Sequence, residues 1–233
     1  MKNIENIVDN SENRFQLWIS FIKEEKLKNI VELGVFKGEF AQSILMNCSG
    51  IEKYYMIDPW EKLKDWNKPA NTENDIFEEY YNETISKTEF AKSKRIVLRG
   101  KTQQMHQKIE NNSLDFAYID GDHTLKGITV DLIAIWDKIK SDGFIAGDDF
   151  CSSIWQHDKN FEPTLVFPFA IYFAEAKNVK IYALPFNQFL IAKGLKEFEF
   201  IDLTKGIYND LSILNQVKMP VEKKKSSLLS KFF

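Results

Sequence analysis

The chain alternates short apolar runs with longer amphipathic ones. Runs rich in β-branched and aromatic residues fall at 30–33, 53–58, 95–98, 114–120 and 143–149, the pattern of buried strands. Between them, apolar residues recur at helical spacing over roughly 38–47, 73–92, 102–110 and 126–140. Ser141-Asp142-Gly143 reads as the stop of the last of these helices. Ahead of the first strand, residues 12–26 predict a helix with Phe15, Trp18, Ile19 and Ile22 on one face and Ser11 as N-cap. That helix fits either a packed domain edge or a cap over a ligand site. After the fifth strand come an apolar helix over 164–177 and a strand pair, 179–185 and 186–194, that reads as an antiparallel hairpin. Strands alternating with helices predict an α/β fold with a parallel, doubly wound sheet.

The boundaries that follow are an N-terminal helical cap at 1–28, the α/β domain at 29–194 and a C-terminal tail at 195–233. The loop 61–72, with Trp60 and Trp66, is long for a compact domain and fits a lid or a surface insertion. In the tail, Lys223-Lys224-Lys225 and the apolar residues after them make at most a weak amphipathic contact.

Composition changes this picture little. The chain has 233 residues, 44% hydrophobic and 28% charged, enough for a sizeable core. Nineteen phenylalanines, in a chain 14% aromatic, predict an aromatic-rich core or pocket. A formal net charge of −3 argues against general nucleic-acid binding, which calls for a basic face or a pI above ~9. Cys48 and Cys151 lack metal-ligand spacing and read as free thiols of a reducing compartment. No apolar run approaches the roughly 20 residues of a membrane span, and the polar N-terminus has no signal-peptide core. A cytoplasmic protein is the expectation, with a homo-oligomer left open.

The candidate chemistry begins at NIVELGVFKGE, residues 29–39. A strand carrying Glu32 runs into a turn between Gly34 and Gly38, and then into a helix. Such a turn lets the backbone approach a nucleotide-like ligand. The E-x-G-x-x-x-G spacing is not the dinucleotide fingerprint, and a purely structural turn fits as well. Asp58 ends the second strand, where a carboxylate can accept from both ribose hydroxyls; a surface Asp before Pro59 is the alternative. Asp120, Asp148 and Asp149 end the fourth and fifth strands. Ligands of such sheets bind outside the strands' carboxyl ends. Carboxylates gathered there repel unless neutralised, and a hard divalent cation held by Asp120, Asp148 and Asp149 would do so. His123, three residues beyond Asp120, is the best general base, because its ordinary pKa lies near neutrality. His157 is the second candidate, and His106 reads as surface or packing. Trp60, Trp66, Trp155 and Phe161 are candidate pocket walls, with core packing the alternative for each.

The motifs ELGVFKGEF, YMIDPW, LRGKT, LDFAYIDGDHT and DGFIAGDDF together resemble a class I S-adenosylmethionine-dependent methyltransferase. More narrowly, they are similar to the small catechol-type and sugar O-methyltransferases that use a metal. The resemblance covers roughly 29–194 and implies a Rossmann-like, seven-stranded, mostly parallel sheet whose last strand runs antiparallel. It also implies roles. Glu32, Gly34 and Gly38 would hold the methionine part of the cofactor and Asp58 its ribose. Lys101 and Thr102 would lie near the adenine, and Asp120 on the sulfonium side. Asp120, Asp148 and Asp149 would bind magnesium, with His123 as base and a sugar or small-molecule hydroxyl as methyl acceptor. The alternatives are an NAD-dependent oxidoreductase and a non-catalytic adenosylmethionine-binding protein.

Overall fold

The computed structural model describes residues 3–64 and 66–208. Two helices lead the chain, α1 (Ile4–Asp9) and α2 (Arg14–Glu24). Then β1 (Asn29–Leu33), α3 (Glu39–Asn47), β2 (Lys53–Asp58), α4 (Asn74–Lys87) and β3 (Arg95–Arg99) follow. The second half runs α5 (Thr102–Met105), β4 (Leu114–Ile119), α6 (Leu125–Trp136), β5 (Ile139–Gly147) and α7 (Val166–Lys177). It closes with β6 (Val179–Leu184), β7 (Gln188–Lys196) and β8 (Glu199–Asp202).

The eight strands of the described residues form one sheet in the order β3-β2-β1-β4-β5-β7-β6-β8. β1 to β5 pair in parallel, while β7 is antiparallel to both β5 and β6. The mostly parallel, doubly wound sheet is therefore present, with one strand more than expected. β7 runs past residue 194, and β8 pairs in parallel with β6. The sheet thus continues into residues assigned to the tail. The Lys223–Lys225 run lies outside the described residues.

Side chains alternate along each strand and both sheet faces are apolar, because both are covered by helices. Ile30, Tyr54, Met56, Phe116 and Tyr118 pack toward α1 to α4. Val31, Leu33, Ile57, Ala117 and Ile119 pack toward α6 and α7. On α2, Leu17, Trp18, Phe21 and Ile22 are at most 1% exposed. Burying four such side chains contributes roughly 6–12 kcal/mol before entropy, so this helix is an integral layer of the domain. Asn13, rather than Ser11, caps it, accepting from the Gln16 N–H at 3.0 Å.

The turn signal at 141–143 belongs to a strand. α6 ends at Trp136, and β5 begins at Ile139, paired with Leu114. The register shifts between Leu114 and Phe116. A Cβ on Gly143 would lie 2.8 Å from the Asp115 carbonyl oxygen. Ser141-Asp142-Gly143 is thus an irregularity in the ladder, where glycine admits a close neighbouring backbone. Cys48 and Cys151 are buried, free thiols. Among the described residues no helix is long and apolar enough to cross a membrane.

Candidate active site

The strand order reverses between β1 and β4, the place where open α/β sheets bind ligands. Main-chain bonds run on past the strand ends and fix the register of the site. Gly34 donates to Ile57 at 2.9 Å, Asp120 to Leu33 at 2.8 Å and Asp148 to Ile119 at 2.9 Å. A cavity of about 920 Å³ opens over this edge, within the range of about 300–1,000 Å³ usual for small-molecule sites. A smaller hollow of about 370 Å³, lined by Leu27, Asp115 and Gly194, lies at the opposite end of the sheet, away from these groups.

The glycine turn is held by two separate devices. Gly34 has φ +84°, and a Cβ there would sit 2.1 Å from the Asp120 carbonyl oxygen and 2.6 Å from Gly121 Cα. Only glycine lets the β1 and β4 loops touch. Asp58, 8% exposed, accepts from the main-chain N–H groups of Val35 and Phe36 on Oδ2, both at 2.9 Å, and of Trp60 on Oδ1 at 2.7 Å. Burial pushes the Asp58 carboxyl up, and these three N–H groups pull it partly back. Glu32 is 1% exposed, accepts from the Tyr54 hydroxyl at 2.6 Å and lines the cavity. Burial holds its pKa well above the ordinary carboxylate range. Lys101 and Thr102 line the same cavity.

Beside the turn stand the acidic strand ends. Asp120, His123 and Asp149 each offer one donor atom, all within 4.8 Å of one another. His123 Nδ1 contacts Asp149 Oδ2, while its Nε2 lies 3.5 Å from Asp120 Oδ1. That Nε2 is buried and makes no hydrogen bond among the described residues. Burial alone would lower the His123 pKa, but the two carboxylates outweigh it and push it up to about 10. Asp149 is held below the usual range by the same contact. Its φ of 56° is the left-handed region, which Asp tolerates better than most residues.

Asp148 is occupied elsewhere. Its Oδ1 accepts from the Asp149 main-chain N–H at 2.8 Å and from Gln188 Nε2 at 2.6 Å. Its Oδ2 pairs with Arg14, whose Nη1 also lies 3.1 Å from Asp120 Oδ2. Gln188 is fully buried and its Oε1 accepts from Trp18 Nε1 at 2.7 Å and the Tyr118 hydroxyl at 2.9 Å. Nε2 also donates to the Phe186 carbonyl at 2.8 Å, so the amide's bonding capacity is met. Asp148 thus stands outside the trio that could share an ion. Asp122 is likewise engaged, accepting from Trp66 Nε1 and the Thr124 N–H, both at 3.0 Å.

A family model described as a methyltransferase domain matches residues 31–150. The chain belongs to this methyltransferase family. Several solved structures share its fold. The SAH-bound methyltransferase from Podospora anserina is 13% identical with a TM-score of 0.56, over 82% of this chain and 86% of that one. An O-methyltransferase from Bacillus cereus in complex with SAH is 14% identical, with a TM-score of 0.54 over 82% and 90%. A provisionally assigned caffeoyl-CoA O-methyltransferase from Staphylococcus aureus is 13% identical, with a TM-score of 0.56 over 82% and 88%. No curated protein sequence matches the chain.

In this methyltransferase, Asp120 and Asp149 form a carboxylate pair that fits a divalent cation, and the imidazole between them keeps one buried nitrogen without a partner among the described residues. Of the aromatic residues weighed as pocket walls, Trp66 lines the cavity. Trp60, 1% exposed, packs in the core against Tyr81 and donates to the Phe36 carbonyl at 2.7 Å. Trp155 and Phe161 are not among the lining residues, whereas Phe36, Phe40 and Phe77 are. His157 lines the cavity; His106 instead contacts the Thr102 carbonyl at 2.8 Å. The loop 61–72 is clasped to the 156–164 segment. Asn67 Nδ2 donates to the Asn160 carbonyl and Lys68 Nζ to the Glu162 carbonyl, both at 2.7 Å.

Arg14, Gln188 and Asp131 are among the residues around this cavity that escaped the sequence reading. Arg14 and Gln188 owe their places to contacts remote in sequence. Asp131 did leave a signal, since it lies on the buried stripe of α6 with Ile128, Leu132 and Ile135. It lines the cavity, and burial pushes its carboxyl up to about 7, against a hydrogen bond with Thr102 that lowers it.

Proposed function

We propose that the chain is an S-adenosylmethionine-dependent O-methyltransferase that methylates a hydroxyl of a sugar or other small molecule with the help of a divalent cation, magnesium being the expected one. The observation that carries this reading is one cavity lined by both the glycine turn and the Asp120–His123–Asp149 cluster. Glu32, Gly34 and Gly38 hold the methionine part of the donor, Asp58 the ribose, and Lys101 with Thr102 the adenine side. Asp120 would lie on the sulfonium side. The SAH-bound relatives support this donor.

On the acceptor side, His123 is the base. With Nδ1 against Asp149, Nε2 is the atom left to take the acceptor's proton. Asp120, 3.5 Å away, favours the protonated ring and opposes that role. Asp120 and Asp149 would hold a divalent cation, whose charge would weaken this hold and favour ionisation of a nearby hydroxyl. Positioning donor and acceptor in one cavity contributes much of the remaining acceleration. The polar groups of Lys64, Gln156, His157 and Glu162 along the cavity support a sugar acceptor over a simple phenol.

The test is calorimetric titration with S-adenosylhomocysteine and with NAD, followed by methyl-transfer assays on sugar and phenol acceptors with magnesium or EDTA. Binding of the first ligand alone and turnover lost in EDTA and in His123→Ala are expected. Full activity in EDTA would sink the cation role. Preference for NAD would sink the donor assignment. Binding with no turnover on any acceptor would leave a non-catalytic binding protein.

A further inference from the structure

Arg14 is the first residue of an N-terminal helix, yet its guanidinium reaches the carboxyl ends of β4 and β5. We propose that Arg14 is a built-in counter-ion that competes with a divalent cation for this edge, keeping Asp148 out of the ligand set and weakening metal binding. The inference rests on reading Asp120 and Asp149 as the cation's carboxylates.

Carboxylates clustered at a strand edge need neutralising. Arg14 already does this for Asp120 and Asp148, whose side chains are 23% and 13% exposed. Its charge is present throughout the pH range in which proteins fold, because guanidinium does not deprotonate there. Its place is not accidental. Asn13 caps the helix so that Arg14 starts it, and Trp18, one turn on, is fully buried. Trp18 also donates to Gln188, and Gln188 holds the other oxygen of Asp148. One helix therefore fixes Asp148 from both sides. Asp148 can join a cation only by releasing Arg14, and a cation on Asp120 meets the same positive charge.

The experiment uses the full chain stripped with EDTA and titrated with Mn²⁺, with free Mn²⁺ followed by electron paramagnetic resonance. Wild type, Arg14→Met, Arg14→Lys and the double variant Arg14→Met/Asp148→Asn are compared, each checked by thermal melting. A partly screened unit charge a few ångströms away is worth about tenfold, so Arg14→Met should bind Mn²⁺ about tenfold tighter or more. Arg14→Lys, which keeps the charge, should stay near wild type. Asp148→Asn in the Arg14→Met background should give back most of the gain. Unchanged or weaker binding by Arg14→Met overturns the proposal, as does an Arg14→Lys protein that behaves like Arg14→Met. Absence of Mn²⁺ binding in every variant overturns it too. If Arg14→Met does not fold, Arg14→Gln carries the same expectation. A parallel S-adenosylhomocysteine titration separates this failure from failure of the donor reading, since the donor site does not depend on Mn²⁺.

Discussion

Asp58 was expected to hold a ribose, and its geometry makes a stronger, structural demand that can be measured. Its carboxylate accepts three main-chain N–H groups, two of them buried, from the turn that follows β1 and from Trp60. Asp58→Ala leaves all three without that acceptor. Each buried, unsatisfied donor costs about 1–3 kcal/mol. Two buried donors and one half-buried donor together cost roughly 3–6 kcal/mol on that scale. For a chain of this size 1 kcal/mol moves the midpoint by about 2–4 °C, so Tm should fall by roughly 6–24 °C. Asp58→Asn is milder, because one amide oxygen can still serve the Val35–Phe36 pair while the Trp60 N–H faces an NH₂ group. Loss of a buried charge offsets part of that cost, since burial already disfavours the ionised form. Urea denaturation followed by tryptophan fluorescence, with S-adenosylhomocysteine titrations on the folded variants, reads both effects. An Asp58→Ala protein that melts within about 2 °C of wild type would show that the turn does not depend on this carboxylate.

Two further outcomes follow from the same geometry. Gly34→Ala places a Cβ 2.1 Å from the Asp120 carbonyl oxygen, whereas Gly38→Ala meets the Thr84 methyl at 2.9 Å and the Thr84 Cα at 3.1 Å; both add strain at positive φ. Gly34→Ala should therefore be the more damaging by about 1–3 kcal/mol, and should lose S-adenosylhomocysteine binding, as calorimetry and urea titration would register; equal stability of the two refutes the close-contact account. His123 has its pKa raised to about 10 in the fold against about 6.5 unfolded. Its contribution is then fully present below pH 6.5 and lost as pH rises through 10. In EDTA, the stability of wild type relative to His123→Gln should fall between pH 6.5 and 10, and a difference that is flat or grows with pH contradicts the ion-pair account.

Most of the fold was legible because both sheet faces are covered. Near-continuous apolar strands such as Phe116–Ile119 and Phe144–Ala146 then stand out against amphipathic helices. The failures have local causes. Ser141-Asp142-Gly143 carries the residues of a helix stop, and the same residues serve a ladder irregularity, so composition alone does not separate them. α1 is a helix of six residues, too short for periodicity to show. β8 is an edge strand whose residues are half-buried or exposed. Its pattern lacks the apolar run that marks the others.

The site was legible to the extent that strand ends place residues, and no further. The topology brings Glu32, Asp58, Asp120, Asp148 and Asp149 to one sheet edge whatever their rotamers. Which carboxylates face each other depends on neighbours that no local pattern announces. The repulsion argument correctly required positive charge at this edge, but assumed that it had to come from outside. The chain supplies Arg14 against Asp120 and Asp148, and His123 against Asp120 and Asp149. Each guanidinium or imidazolium contact removes part of the drive to bind a cation. An acidic edge read from sequence therefore sets an upper bound on metal affinity. The actual value is set by how much of that charge the protein has already neutralised, here from a helix that the strand pattern does not include.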